Sequence, residues 1–499
     1  MTIRQFISAR AQRAARSILL STEITPRTGS LLPLVLLAVF AMLPAGLRAQ
    51  NTSLQQEGSA SIDRQIQAGG YVIPPSYFGM HINNVNTPWP NAFFSGLRLE
   101  GSDVNWWNIE EAPGVYDYFW LDQWLLNAQQ NNVSVIYTFV GVPQFYSSIP
   151  TDTRCTFNLG ACDPPYDVNE DGSGTDAAFI NFVTDLAMHN AELGNPIQYW
   201  EMWNEPDIPK QWIPTCENPG NTCTGNLKYA QLLRMAKDGA AVIKSFNPKA
   251  VILSPAPVGL AGGLAARWLG EYLAALKQEK DPYPDVIAFH GYLNQWIMGF
   301  FPTPEKELTL VGEMKQSVKK VGMENLPLWV TEGSWGNTLL DGYTNSYIQA
   351  SFLARYLVSQ QSTGVARGYW YQWDHPTGDG TLWKGPGSSG DWELAGFAYN
   401  SVVNWTIGAI LTSPCSNQQG TTVWVCQYSR LFPPGYQAQI VWNSLTDSSY
   451  TVPQGFKQYC DLKGTMVPII GQPQESVTIG PWPILLENKN LLKGPCQQI

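Results

Sequence analysis

The stretch Ile197-Gln198-Tyr199-Trp200-Glu201-Met202-Trp203-Asn204-Glu205-Pro206 decides how this chain folds. Aromatic and apolar residues fill its body, and Asn204, Glu205 and Pro206 close it, so it reads as a buried strand that stops at a polar edge. A run with the same design, Leu328-Trp329-Val330-Thr331-Glu332, stands further along. Between and around them, short β-branched or aromatic runs alternate with amphipathic stretches. Eight candidate strands result: Phe78 to Ile82, Gly96 to Glu100, Val133 to Phe139, Ile197 to Asn204, Val251 to Ser254, Val286 to His290, Leu328 to Glu332 and Gly368 to Trp373. Helices are predicted after Asp176, read as a capping residue, over Asn226 to Phe246, and over Ser346 to Gln360. The alternation predicts an α/β fold, a (β/α)8 barrel over residues 77–405.

Past Asn404 the helical period stops. Thr422 to Tyr428, Gln437 to Trp442, Ser449 to Val452, Met466 to Ile470 and Ser476 to Ile479 then read as strands between Pro and Gly turns. Residues 406–499 are expected to form a C-terminal all-β sandwich-like domain. Residues 50–76 form a leader, in which Tyr71 to Ile73 is a possible edge strand of that domain.

Barrels of this kind carry their chemistry at the C-terminal ends of the strands. Glu205 ends the fourth and Glu332 the seventh. Strand alternation places Leu328, Val330 and Glu332 on one face, predicting a carboxylate that closes an inward apolar row at the barrel mouth. Either residue alone has a bland explanation, Glu205 as a helix cap and Glu332 in a loop ion pair. Two carboxyl groups at two strand ends of one barrel are what glycoside cleavage needs: one protonates the leaving oxygen and one attacks the anomeric carbon. Glu201, four residues before Glu205, is expected deeper, about 13 Å below it at roughly 3.3 Å per residue. It is read as a buried partner of Arg98, which ends the second strand; Arg98 equally suits a role in holding Glu332 ionised.

Trp203-Asn204-Glu205-Pro206 after a strand resembles the signature of the clan A retaining glycoside hydrolases. The resemblance implies that Glu205 is the acid/base, that Asn204 binds the sugar 2-hydroxyl, and that Glu332 is the nucleophile. Phe289-His290-Gly291-Tyr292 resembles the sixth-strand His and Tyr of the family 39 β-xylosidase-like enzymes, which makes His290 and Tyr292 substrate-binding candidates beside Arg98. Trp106 to Glu110, with Gly114 and Tyr116, is similar to the loop after the second strand in that group. The implied substrate is an oligo- or polysaccharide, a xyloside first, with glucosides, glucuronides and arabinosides open.

Trp335 and Trp373 are candidate walls of a sugar cleft, because indole rings pack on sugar C–H faces. Asp167-Val168-Asn169-Glu170-Asp171-Gly172 starts like a calcium loop, but Ala178 stands where the closing glutamate belongs, so a solvated acidic turn is the competing reading. No phosphate loop or metal motif occurs, so no cofactor and no metal are expected. No Gly-x-Ser-x-Gly elbow supports a serine hydrolase.

Residues 1–49 read as a signal peptide: arginines at 4, 10, 13, 16 and 27, an apolar run from Leu31 to Leu43, and cleavage near Ala49. The competing reading is an uncleaved membrane anchor, against which stand Pro33 and a run shorter than the roughly 20 apolar residues a bilayer requires. Cleavage near Ala49 takes the net charge from −10 to −15, which excludes a nucleic-acid partner, and leaves no segment to hold a membrane. Secreted or periplasmic location follows. All eight cysteines remain, an even number suited to disulfides: Cys155 with Cys162, Cys216 with Cys223, and a cluster of Cys415, Cys426, Cys460 and Cys496 stapling the C-terminal domain. Two other classes fit the same pattern. One is a catalytically silent carbohydrate-binding barrel; the other is a structural or adhesion protein of the cell envelope.

Overall fold

The computed structural model describes residues 66–67, 70–217, 222–258, 263–279, 283–293, 303–335, 345–375, 380–387, 391–469 and 475–489. The expected signal segment and Cys496 lie outside these residues.

Eight parallel strands form the barrel wall: β1 (Phe78–His81), β2 (Gly96–Leu99), β3 (Ser134–Thr138), β4 (Ile197–Glu201), β5 (Val251–Leu253), β6 (Ile287–His290), β7 (Leu328–Glu332) and β8 (Arg367–Trp370). They pair in the order β6-β7-β8-β1-β2-β3-β4-β5, and bridges Leu253–Val286 and Val258–His290 join β5 to β6. Helices follow seven of them: α1 (Phe119–Gln130), α2 (Ala177–Glu192), α3 (Leu227–Phe246), α4 (Leu264–Gln278), α5 (Glu307–Lys320), α6 (Ser346–Ser362) and α7 (Leu394–Thr406). The exception is β1, which reaches β2 through residues 82–95 without a helix. Pro88 and Pro90 in that segment each lack the N–H a helix interior requires.

Ile136, Leu253, Val286, Ala288, Trp329 and Tyr369, from five different strands, pack together in the barrel interior. Gly79 and Gly96 make room for them, since a Cβ at either would collide with the Tyr369 ring. The other face of each strand meets the helices. Leu328 and Val330 belong to that outer core, with Val311, Met314 and Tyr356. The predicted inward row of Leu328, Val330 and Glu332 is therefore wrong. The register between β6 and β7 slips: Phe289 pairs with Val330 but His290 pairs with Glu332, skipping Thr331. An extra residue in one strand reverses the facing of all that follow. Glu332 thus faces the mouth although Val330 faces outward.

A second departure concerns the start of α2. Asp176 holds the N-cap position in a left-handed conformation (φ 48°), and its side chain makes no capping bond. Asp167 does that work, accepting from the Ala178 N–H at 3.2 Å and the Thr175 hydroxyl at 2.9 Å.

The C-terminal region is antiparallel: β9 (Ile410–Asn417), β10 (Val423–Arg430), β11 (Tyr436–Asn443), β12 (Ser448–Thr451), β13 (Gln458–Cys460), β14 (Met466–Pro468), β15 (Ser476–Ile479) and β16 (Ile484–Glu487). Gly70–Val72 pairs with β9 and joins this large sheet at its edge. One face packs under the β12–β15 ribbon through Val423, Val441, Tyr450, Val477 and Leu486. The opposite face, with Tyr428, Ile440, Trp442 and Leu485, merges into the core that covers the barrel helices. Disulfides link Cys155 to Cys162, Cys216 to Cys223 and Cys415 to Cys426. Cys460 is disulfide-bonded as well.

Candidate active site

The segment after β4 is held by its tryptophan. Trp203 is fully buried, packs edge-on against Trp212 with centroids 5.0 Å apart, and donates its indole N–H to the Gln211 carbonyl. With that anchor set, the Asn204 N–H donates to the Phe139 carbonyl and the Glu205 N–H to the Ala256 carbonyl. Glu205 is forced to φ 42°, a left-handed conformation that costs a non-glycine residue about 1–2 kcal/mol. Strain held this firmly at a strand end points to a function for the side chain.

The Nδ1 of His290 lies 2.9 Å from Glu205 Oε1 and 2.7 Å from Glu332 Oε2. Both neighbours are carboxylate oxygens, so Nδ1 carries a hydrogen in either charge state of the ring and donates to the pair. Nε2 faces Arg98 Nη2 at 3.3 Å. One acceptor atom from each of Glu205 and Glu332 and the imidazole nitrogen lie within 4.8 Å of one another. Those three side chains are also a geometric donor set for a metal. A divalent ion would there sit close to the fixed positive charge of Arg98, 3.7 Å from Glu332, which disfavours it.

Arg98 is fully buried beneath the pair. Its Nε and Nη2 donate to Glu201 Oε2 at 2.9 and 2.7 Å, and Nη2 donates to Asn204 Oδ1 at 2.8 Å. Both sequence readings of Arg98 describe one guanidinium, which binds Glu201 and stands behind Glu332. Its proposed contact with substrate is contradicted by this burial. The bond to Oδ1 leaves the amide N–H groups of Asn204 for other partners. Glu201 is not about 13 Å down the strand from the site but one guanidinium below it, because regular extension ends at Glu201.

The charges follow from these contacts. Burial alone would raise the Glu332 pKa, but His290 and Arg98 outweigh it and hold the carboxyl far down, at about 2. Burial opposes charge on His290, yet the Glu332 carboxylate and the bonds to both glutamates push it up to about 10. Tyr292, half-buried next to His290, is pushed well above the ordinary tyrosine range by burial and by Glu332.

Other expected site residues stand elsewhere. Trp335 and Trp373 are fully buried in the core, Trp335 edge-on against Trp370 at 5.1 Å, so neither walls a cleft. Bulky side chains this deep pack rather than bind. Glu110 serves its own loop, accepting from the Trp106 indole, the Gly114 N–H and the Tyr146 hydroxyl at 2.8–3.0 Å. The calcium-like segment closes as a hydrogen-bonded turn, with Asp171 accepting from the N–H and hydroxyl of Ser173.

Two residues at the mouth were missed. His81, ending β1, is buried with its Nδ1 unpartnered, and burial drives its pKa down to about 3. Glu100 follows Arg98 by two residues, is 7% exposed, and has a buried Oε1 with no hydrogen-bond partner. The period-two step from Arg98 was the signal for Glu100.

No protein-family profile and no curated protein matches the sequence. Solved structures do match. A family 39 glycoside hydrolase from Bacteroides cellulosilyticus is 16% identical over 84% of this chain and 82% of its own, with a TM-score of 0.58. A family 39 β-xylosidase from Caulobacter crescentus is 15% identical over 85% and 98%, with a TM-score of 0.57. A family 30 endoxylanase from Clostridium papyrosolvens is 12% identical over 84% and 97%, with a TM-score of 0.52. The chain therefore has the fold of the family 39 and family 30 glycoside hydrolases.

Proposed function

We propose that this chain is a retaining glycoside hydrolase that cleaves β-glycosidic bonds by double displacement, with Glu332 as nucleophile and Glu205 as acid/base. The observation that carries it is the closeness of the two carboxyl groups, an oxygen of Glu205 at 2.9 Å and one of Glu332 at 2.7 Å from the same His290 nitrogen, with these atoms within 4.8 Å of one another. Retaining sites hold their carboxyl groups about 5–5.5 Å apart, whereas inverting sites open to about 6.5–9.5 Å to admit a water. A catalytically silent binder has no use for a strained glutamate bridged to an ionised one.

In the first step Glu332, kept anionic by His290 and Arg98, attacks the anomeric carbon while Glu205 gives its proton to the leaving oxygen. The ester that forms removes the charge on Glu332. Glu205 then takes a proton from the incoming water, which displaces Glu332 and restores the starting state. His290 holds both carboxyl groups through one nitrogen, and the bond to Arg98 turns the N–H groups of Asn204 toward the substrate hydroxyls.

A xyloside is the first-choice substrate, supported by the resemblance of Phe289 to Tyr292 and by the xylan-directed names of two similar structures. Secretion is supported by the disulfides and by the signal-like start of the sequence. No helix among the described residues is long and apolar enough to cross a membrane.

Aryl β-glycosides with good and poor leaving groups test the roles. E205A is expected to lose about 10²–10⁴-fold on poor leaving groups, the usual worth of general acid catalysis. Activated aryl glycosides, which leave without protonation, should keep most of their glycosylation rate. Equal losses on both would remove Glu205 from the acid role.

A further inference from the structure

Glu100 has no part in the mechanism above, yet its carboxyl lies within electrostatic reach of Glu332, Arg98, Glu205 and His290. Gly96, Arg98 and Glu100 alternate along one edge of the barrel; Gly96 meets the interior Tyr369, and Arg98 touches Glu201, Asn204, His290 and Glu332. Glu100 is the next inward residue, one step nearer the mouth. A buried carboxyl oxygen without a partner costs free energy and persists where a ligand supplies the partner. Burial and the neighbouring Glu332 push Glu100 up to about 8, so near neutral pH it holds a proton and can both donate and accept.

The surroundings restrict what it meets. The segments that follow the eight barrel strands carry Arg154, Lys210, Lys306 and Lys384 as their Lys and Arg residues. Arg154 is held by Asp152. The segment after β2 alone has Glu100, Asp103, Glu110, Glu111 and Asp117. Arg98, the cation beneath the reacting pair, is engaged by Glu201 and Glu332. A sugar hydroxyl, which both donates and accepts, matches a protonated Glu100 without needing a free cation.

We propose that Glu100 is a specificity-determining residue that hydrogen-bonds a hydroxyl of the sugar seated on Glu332. The proposal rests on the glycosidase reading and narrows it: glycones that lack the matching hydroxyl are disfavoured.

The test uses the full chain, aryl β-xyloside and β-glucoside, and 2-, 3- and 4-deoxy analogues of the better glycone. One deoxy analogue is expected to lose about tenfold or more on wild type, the scale of an unmade hydrogen bond at a polar site, and under threefold on E100A. E100Q, which keeps shape and a donor, should fall between them and guards against a folding defect in E100A. Equal deoxy penalties in wild type and E100A, with both proteins folded, would overturn the proposal and leave the glycosidase reading standing. A folded wild type that cleaves none of the glycosides would overturn both.

Discussion

His290 is the residue on which the site turns, because one imidazole nitrogen spans the two glutamates that the sequence singled out. Its removal should be visible in the acid limb of the pH profile. Glu332 lies far below its ordinary value because His290 and Arg98 favour its anion over the contrary effect of burial. With H290Q, that support shrinks and the Glu332 pKa rises. Glu332, the proposed nucleophile, then ionises only at higher pH, so the acid limb of kcat/KM should move up by about one unit or more. A lowered melting temperature with an unmoved limb would reduce His290 to a structural residue. At this scale the sequence was informative where a charged residue ended an apolar strand, as with Glu205 and Glu332. It misled where burial decides: Trp335 and Trp373 are aromatic residues near strand ends, and only three-dimensional packing reveals that both are sealed in the core. His81 was illegible because a polar residue that lacks a partner looks no different in sequence from one that has it, and Glu100 was marked only by its two-residue step from Arg98.

Elements were read well where their period was regular. The strands of the barrel and the helices Leu227–Phe246 and Ser346–Ser362 lie close to where alternation and apolar spacing put them. Irregular elements were lost. The strand Ile410–Asn417 carries Pro414 and shifts register twice against β10, so no two-residue period survives in it. The slip at Thr331 is the same kind of failure with a larger effect, because it alone turns Glu332 into the mouth. Within the C-terminal sheet, Cys415–Cys426 ties β9 to β10 across 11 residues of sequence. Loop closure over that span predicts a loss of about 3 kcal/mol in C415A/C426A. Denaturant unfolding of the oxidised chain measures it directly, and an unchanged midpoint would show that the bridge constrains nothing the sheet does not already fix.

Across the whole molecule, the C-terminal sheet is built onto the barrel's helices. Glu305 accepts two bonds from Arg355 of α6 at 2.7 and 2.8 Å and one from the Trp442 indole of β11 at 2.6 Å, so a buried ion pair and a strand of the sheet share one carboxylate. The sequence showed a barrel followed by a β region, and the similar solved structures have that fold, but the joint between them was invisible because its partners lie far apart in the chain. The barrel in turn sets the distance between β4 and β7, and hence the separation of Glu205 and Glu332, on which the proposed retention of configuration rests. Proton NMR of the first product released from an aryl β-glycoside reads that stereochemistry before mutarotation blurs it. The account predicts that the β-anomer appears first, as two successive displacements require. An α-anomer as the first product would mean that water attacks directly, and it would contradict Glu332 as a covalent nucleophile.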